Sequence, residues 1–305
     1  MADMTDSAYC RVVKQCCAKV IVFREMVSAE ALVRGNAKTL GMAAFAPEEK
    51  PIVLQLFGAD VAVMAEAARL IEEKLGPDAL DINMGCPARK IVGGDGGAAL
   101  MRRPQLAANI VRAVKVAVQL PVSVKTRLGW SDPAEILGFA KFIEDAGADM
   151  LTIHGRTKEQ GYASRADWEM VGRAKRTVSI PVLVNGDIIS GETAIQALQL
   201  SGCDGVMIGR GALGDPWVFA ETAAILSGGV FQPPDIAERL AVIRRHAAWH
   251  AAESGGDKPL VTFRKHLAYY AKGLPGTKTL RQKLVQVSTL ADLDGILEDI
   301  EAPRK

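Results

Sequence analysis

The feature that most constrains this chain is a rhythm. From about residue 20 to about residue 230, short β-branched apolar runs alternate with longer stretches of helical periodicity. The runs occupy 20–23, 52–57, 80–84, 122–126, 150–153, 182–185 and 205–208, and the helical stretches between them include 61–74, 105–118, 133–146, 192–200 and 217–226. Strands that alternate with helices build parallel βαβ units, because a parallel partner is reached only through a crossover. Seven runs are one short of the eight that close a (β/α)8 TIM barrel in about 250 residues. Helical residues begin near Thr5, so the first strand is expected to be largely missing at the N-terminus, with Met1-Ala2 as its last remnant. A doubly wound open sheet shares the alternation but wants a glycine-rich turn after its first strand, and none is present.

The rhythm stops near Gln232-Pro233-Pro234-Asp235, and only helical periodicity follows. The expected division is an α/β barrel over 1–232 and a small all-helical domain over 236–305.

In a barrel, the C-terminal ends of the strands share one face, so polar residues there can be collected as one site. They are Glu25, Gln55, Asn83, Cys86, Lys125, Arg127, His154, Arg156, Asn185, Asp187 and Arg210. Cys86 lies between Gly85 and Pro87, on a turn where a strand ends. It is either a small buried hydrophobe, the usual fate of a free cysteine, or a reactive group. Asn185-Gly186-Asp187 and Ile208-Gly209-Arg210-Gly211 end the last two runs, where barrels bind phosphate through loop N–H groups. Lys125 and His154 stand where an apolar strand would otherwise continue. Such cations need an anionic partner: a flavin edge that becomes anionic on reduction, or a structural ion pair with Glu25 or Asp81.

The formal charge is only +2, so a nucleic acid would have to meet a local patch. Residues 258–283 provide one, with seven Lys/Arg and no Asp/Glu. Phe263, Leu267, Tyr270 and Leu274 recur at helical spacing as a buried stripe, while Lys265, Tyr269 and Lys272 fall on another face. Cations interleaved with an aromatic suit RNA, and equally describe a solvated basic face.

Five cysteines form no C-x-x-C pair and four histidines show no zinc-type spacing, so no metal site is expected. Unpaired thiols fit a reducing cytoplasm. Asp3 and Asp6 replace the basic region of a signal peptide, and no run of about 18 apolar residues could cross a membrane. A cytoplasmic monomer is expected.

Asn83-Met84-Gly85-Cys86-Pro87, Val124-Lys125-Thr126-Arg127, His154-Gly155-Arg156-Thr157, Asn185-Gly186-Asp187-Ile188 and Ile208-Gly209-Arg210-Gly211 together resemble the tRNA-dihydrouridine synthases, nearest to the bacterial B-type group. The resemblance extends into Arg264-Lys265-His266 and Lys272-Gly273-Leu274-Pro275-Gly276. It implies an FMN enzyme that reduces the C5=C6 bond of selected uridines in tRNA, with NADPH or NADH as reductant. It makes Cys86 the acid that protonates C5. Gln55, Lys125 and His154 would contact the isoalloxazine and ribityl chain, Asn185, Gly186, Asp187, Gly209 and Arg210 would hold the phosphate end, and Met1-Ala2 would close over the flavin. Asn83 and Arg127 would face the uracil, and Lys265 and Lys272 the tRNA.

Three stretches depart from the family pattern. Only Met1-Ala2-Asp3-Met4-Thr5-Asp6 stands where a strand and Ala-Pro-Met-x-x-x-Thr-Asp are usual; Gly93-Gly94-Asp95-Gly96-Gly97 adds an acid; Tyr162-Ala163-Ser164 replaces a Ser-Gly. A barrel short of a strand exposes two unpaired edges, so poor stability and weak FMN retention are expected. Two other functions stay open: a flavin barrel that reduces a small pyrimidine or enoate, and a catalytically silent tRNA-binding protein.

Overall fold

The computed structural model describes residues 1, 3–256 and 258–301. Seven parallel strands, β1 (Val22–Ser28), β2 (Ile52–Phe57), β3 (Ala79–Asn83), β4 (Val122–Arg127), β5 (Met150–His154), β6 (Val182–Asn185) and β7 (Gly205–Met207), pair in sequence order. Among the described residues β1 and β7 are not paired with each other, so the sheet is a barrel curl with one strand position open.

Helices cover the outside in chain order. They are α1 (Ser7–Cys16), α2 (Ala29–Val33), α3 (Ala37–Ala43), α4 (Val61–Lys74), α5 (Arg89–Val92), α6 (Pro104–Ala117), α7 (Glu135–Asp145), α8 (Trp168–Lys175), α9 (Gly191–Ser201) and α10 (Val218–Leu226). Local chemistry explains their starts. Asp6, Asn36, Asp60, Asp167 and Ser190 each accept an N–H from the first turn of the helix that follows, and Pro104 opens α6 with a ring that needs no N–H partner.

The run expected at 20–23 is in fact Val22–Ser28. Arg24 and Glu25 broke the apolar pattern because they form a bulge: three steps from Phe23 to Met26 match two from Val53 to Gln55. Both charges find partners off the ladder. Arg24 donates to the carbonyls of Met42 and Ala44 and faces Glu49 at 3.6 Å, while Glu25 accepts from the backbone of Asp3 at 2.7 Å. At the other edge Ile208 falls outside β7.

The open position is not bare. Met4 and Thr5 donate to Met1 O, and Thr5 O accepts from Glu25 N of β1 at 3.3 Å. Helix α1 packs on β1, and its Tyr9 Oη donates to Ala212 O after β7 at 2.8 Å. One backbone group on the open edge of β1 therefore has a partner, and α1 ties that edge to the segment after β7.

Beyond Asp235, α11 (Ile236–Ser254), α12 (Arg264–Tyr270), α13 (Thr277–Leu284) and α14 (Leu290–Glu301) gather around their own apolar cluster, in which Phe263, Leu267, Tyr270 and Leu274 are buried. Tyr269, expected on the basic face, is half-buried against the barrel core, because α12 lies on the barrel as well as on its own helices. No described helix is long and apolar enough to cross a membrane.

Phe263 is fully buried with its ring 4.7 Å from that of His246. Phe263→Ala should cost about 3–5 kcal/mol, seen as a lower denaturation midpoint with unchanged cooperativity; a loss under about 1 kcal/mol would mean the ring is not packed as described.

Candidate active site

Parallel register builds the site. It sets Gln55 beside Asp81, Asn83 beside Lys125, and Arg127, His154 and Asn185 in one row.

The deepest polar group is Asp81, fully buried on β3. Ser123 Oγ donates to one carboxylate oxygen and Gln55 Nε2 donates to the other at 2.6 Å. A carboxylate only accepts, so the Gln55 amide has one workable orientation. Its oxygen then faces Asn83 and accepts from Nδ2 at 2.8 Å. That leaves Asn83 Oδ1 to accept from the backbone N–H groups of Cys86, at 2.9 Å, and Gly85, at 3.1 Å. One buried acid thus orients two amides, and the second holds the Cys86 turn.

The turn is held from other sides too. Arg127 Nε donates to Gly85 O at 2.7 Å, and Cys86 O accepts from Ala98 N at 3.0 Å. Gly97, at φ +57°, passes so close that a Cβ would sit 2.7 Å from Cys86 O, so no other residue fits. Cys86 itself is half-buried.

Lys125 Nζ donates to Asn185 Oδ1 at 3.0 Å, and Asn185 Nδ2 donates to Met207 O at 2.7 Å. Neither Glu25 nor Asp81 forms an ion pair with Lys125, because Glu25 takes the Asp3 N–H and Asp81 takes Gln55 and Ser123. Burial, then the nearby Arg127, pushes Lys125 down to about 8. His154 is pushed down to about 2, by burial first and then by Lys125, Arg127, Arg156 and Arg210, so the ring is neutral. Its Nδ1 is buried without a partner, as is Nη1 of Arg156.

Asp187, at φ +55°, accepts from Arg156 at 2.6 Å and from Ala166 N at 2.8 Å, and so shapes the turn after β6. At Gly209 the nearest atoms to a would-be Cβ are Met1 Sδ at 3.9 Å and Asn185 Nδ2 at 4.0 Å, so space lies open over its backbone. Arg210 is exposed and stacks 4.0 Å over the ring of Tyr162, which also meets His154 edge-on at 6.2 Å.

Of the residues expected here, Met1, Gln55, Asn83, Cys86, Lys125, Arg127, His154, Asn185, Gly186, Asp187, Gly209 and Arg210 lie at or next to the strand ends. Ala2 lies outside the described residues. Lys265, half-buried, and Lys272, exposed, belong to the helical region. Sequence reasoning gave Asp81 no role beyond a possible ion pair and treated Tyr162 only as a loop departure. A charged residue inside an apolar run was the available signal for Asp81; Tyr162 offered none.

Residues 1–304 match the family model described as dihydrouridine synthase (Dus). The chain belongs to the dihydrouridine synthase family. A Synechocystis protein named probable tRNA-dihydrouridine synthase 1 is 40% identical over 303 residues, covering 98% of this chain and 84% of that protein. Probable tRNA-dihydrouridine synthases of Mycobacterium leprae and Rickettsia prowazekii are 40% and 39% identical, covering 91% and 92% of this chain and 74% and 86% of their own.

Dihydrouridine synthases are generally flavin-dependent, and these residues fit such a group. Gly209 leaves room for an anion against the backbone, two buried nitrogens lack partners, and among the described residues Lys125, Arg127 and Arg210 have no carboxylate within ion-pair distance. That excess of positive charge suits a phosphate at one end and a negative ring edge at the other.

The relay makes a testable claim about stability. Burial raises Asp81 to about 6, above its value in an unfolded chain. The folded protein therefore holds this proton more tightly, and the stability it contributes at pH 4 is lost as pH rises through 6. Asp81→Asn removes the titration, so its stability relative to the native chain should improve by about 2 kcal/mol between pH 4 and pH 7. Denaturation curves at the two pH values measure this; parallel changes in both proteins would show that Asp81 is not a buried acid.

Proposed function

We propose that this chain reduces the C5=C6 bond of specific uridines in tRNA to 5,6-dihydrouridine, with FMN as its flavin and NADPH or NADH as reductant. The observation that carries the reading is the fixed Cys86 turn beside Lys125 and Arg127, which among the described residues have no carboxylate within ion-pair distance. The names of the relatives supply the substrate.

Gln55, Lys125 and His154 would hold the isoalloxazine and ribityl chain. Asn185, Gly186, Asp187, Gly209 and Arg210 would hold the phosphate end, with Met1 beside Gly209. When bound, the reduced flavin supplies hydride to C6 of the uracil. Saturating the bond then needs a proton on C5, and the Cys86 thiol supplies it. Thiols as a class stay mostly protonated at neutral pH yet are far stronger acids than serine. Lys125, at about 8, keeps positive charge near neutral pH. Asn83 and Arg127, which the resemblance aims at the uracil, also hold the turn that carries the acid.

A uracil in a folded tRNA must leave its stack to reach a barrel mouth, at a cost of a few kcal/mol that backbone contacts offset. Lys265 and Lys272, with the exposed Lys278, Arg281 and Lys283, offer those contacts. Such a substrate places the enzyme in the cytoplasm.

Cys86→Ala should keep bound flavin and its reduction by NADPH but lose at least about 100-fold in tRNA turnover, the scale of a lost general acid. Unchanged turnover would remove Cys86 from the mechanism. Lys265→Ala/Lys272→Ala should raise KM for tRNA with kcat unchanged and lower the salt slope of binding by about two, a value read from titrations at several ionic strengths. An unaltered slope would leave these lysines without a phosphate contact.

A further inference from the structure

Three of the four histidines lie outside the barrel mouth. His246 and His250 on α11 and His266 on α12 converge on Asp6, the residue that caps α1. A carboxylate oxygen of Asp6 and one ring nitrogen from each of His246 and His266 lie within 4.8 Å of one another. His246 is 0% and His266 2% exposed, and Nε2 of each is buried without any hydrogen-bond partner. An unpartnered buried polar atom costs about 1–3 kcal/mol, so two in one cluster point to a missing partner.

The surroundings have the character of a ligand site. His246 Nδ1 is engaged by Tyr270 Oη at 2.9 Å, which leaves its other nitrogen for a ligand, the usual outer support of a metal-bound imidazole. His250 spans Asp6 Oδ2 at 3.2 Å and Thr262 Oγ1 at 2.8 Å, and Asp6 Oδ1 accepts from Tyr9 N at 2.9 Å, so the carboxylate is held in place.

We propose that Asp6, His246 and His266 bind one zinc ion, with water as the fourth ligand, and that the ion pins α11 and α12 to α1. Two imidazoles and one carboxylate form a donor set that zinc takes with an open fourth position. Zinc–ligand distances near 2.0–2.1 Å imply ligand atoms roughly 3.3 Å apart. The ligand atoms now lie within 4.8 Å of one another, so binding would draw them together. The spacing rules missed the set because its members come from opposite ends of the chain.

The test is elemental analysis of the full-length protein after exhaustive dialysis, with cobalt substitution as a second readout. The expected result is about one zinc per chain, a higher Tm with zinc than after chelation, and a cobalt spectrum of nitrogen and oxygen ligation without thiolate charge transfer. His266→Asn and Asp6→Asn should each lower zinc content at least tenfold, while Cys16→Ser/Cys17→Ser should leave it unchanged. The cobalt spectrum of the native chain decides the matter even if a variant fails to fold. Zinc below one-tenth of the protein with no Tm response, thiolate bands in the cobalt spectrum, or full zinc content in folded His266→Asn would each overturn the proposal, the first leaving a water-bridged hydrogen-bond cluster.

Discussion

A carboxylate offers acceptors and no donor, and the active end of this protein is ordered by one of them. Asp81 is shut inside β3, where an unpaired charge would be costly, so Ser123 and Gln55 must turn their donors to it. Gln55 and Asn83 are amides that could each face either way. The acid removes that freedom, and the polarity it imposes runs through both to the N–H of Cys86. On the proposed reading, the Cys86 turn is thereby given the rigidity of the sheet, which is what a proton donor needs if it is to meet one carbon of a base.

Around that turn the charges divide into two kinds. Arg127 and Arg156 direct most of their donors at carbonyls and at Asp187, and so tie the loops after β3, β5 and β6 together. Lys125 meets only a neutral amide, and Arg210 only the face of Tyr162. His154, among four cations, cannot carry charge of its own. The first kind shapes the mouth. The second leaves a positive field that an anionic cofactor would neutralise.

Much of this was legible in the sequence, for a physical reason. Strands buried on both faces read as apolar runs, so β2 to β6 fell close to their expected bounds, and polar residues at their ends had to share a face. The first strand was misplaced because Arg24 and Glu25 occupy a bulge and find partners far along the chain, at Met42, Ala44 and Asp3. Tyr269 was read as free because periodicity shows which side of a helix is polar but not what a second surface does with it. The roles of Asp81 and of the histidines around Asp6 depend on pairings across strands and across the length of the chain, which no local pattern encodes.

Helix α1 joins these themes. On one side it packs on β1 and reaches the loop after β7 through Tyr9 and Ala212, bracing the gap in the sheet next to Gly209. On the other it is the surface on which α11 docks: His250 meets Asp6, Arg245 meets Gln15, and Arg11 lies 4.0 Å over Trp249. The helix that braces the proposed cofactor site beside Gly209 is therefore also the one on which the helical region docks. A base drawn out of its stack has to span a fixed distance between backbone contacts and the thiol, and a shared bracket keeps that distance constant when either part is strained. It follows that substitutions on α1 should disturb cofactor retention and tRNA affinity together, whereas those in α13 or α14, which pack on α11, α12 and each other, should disturb only the second.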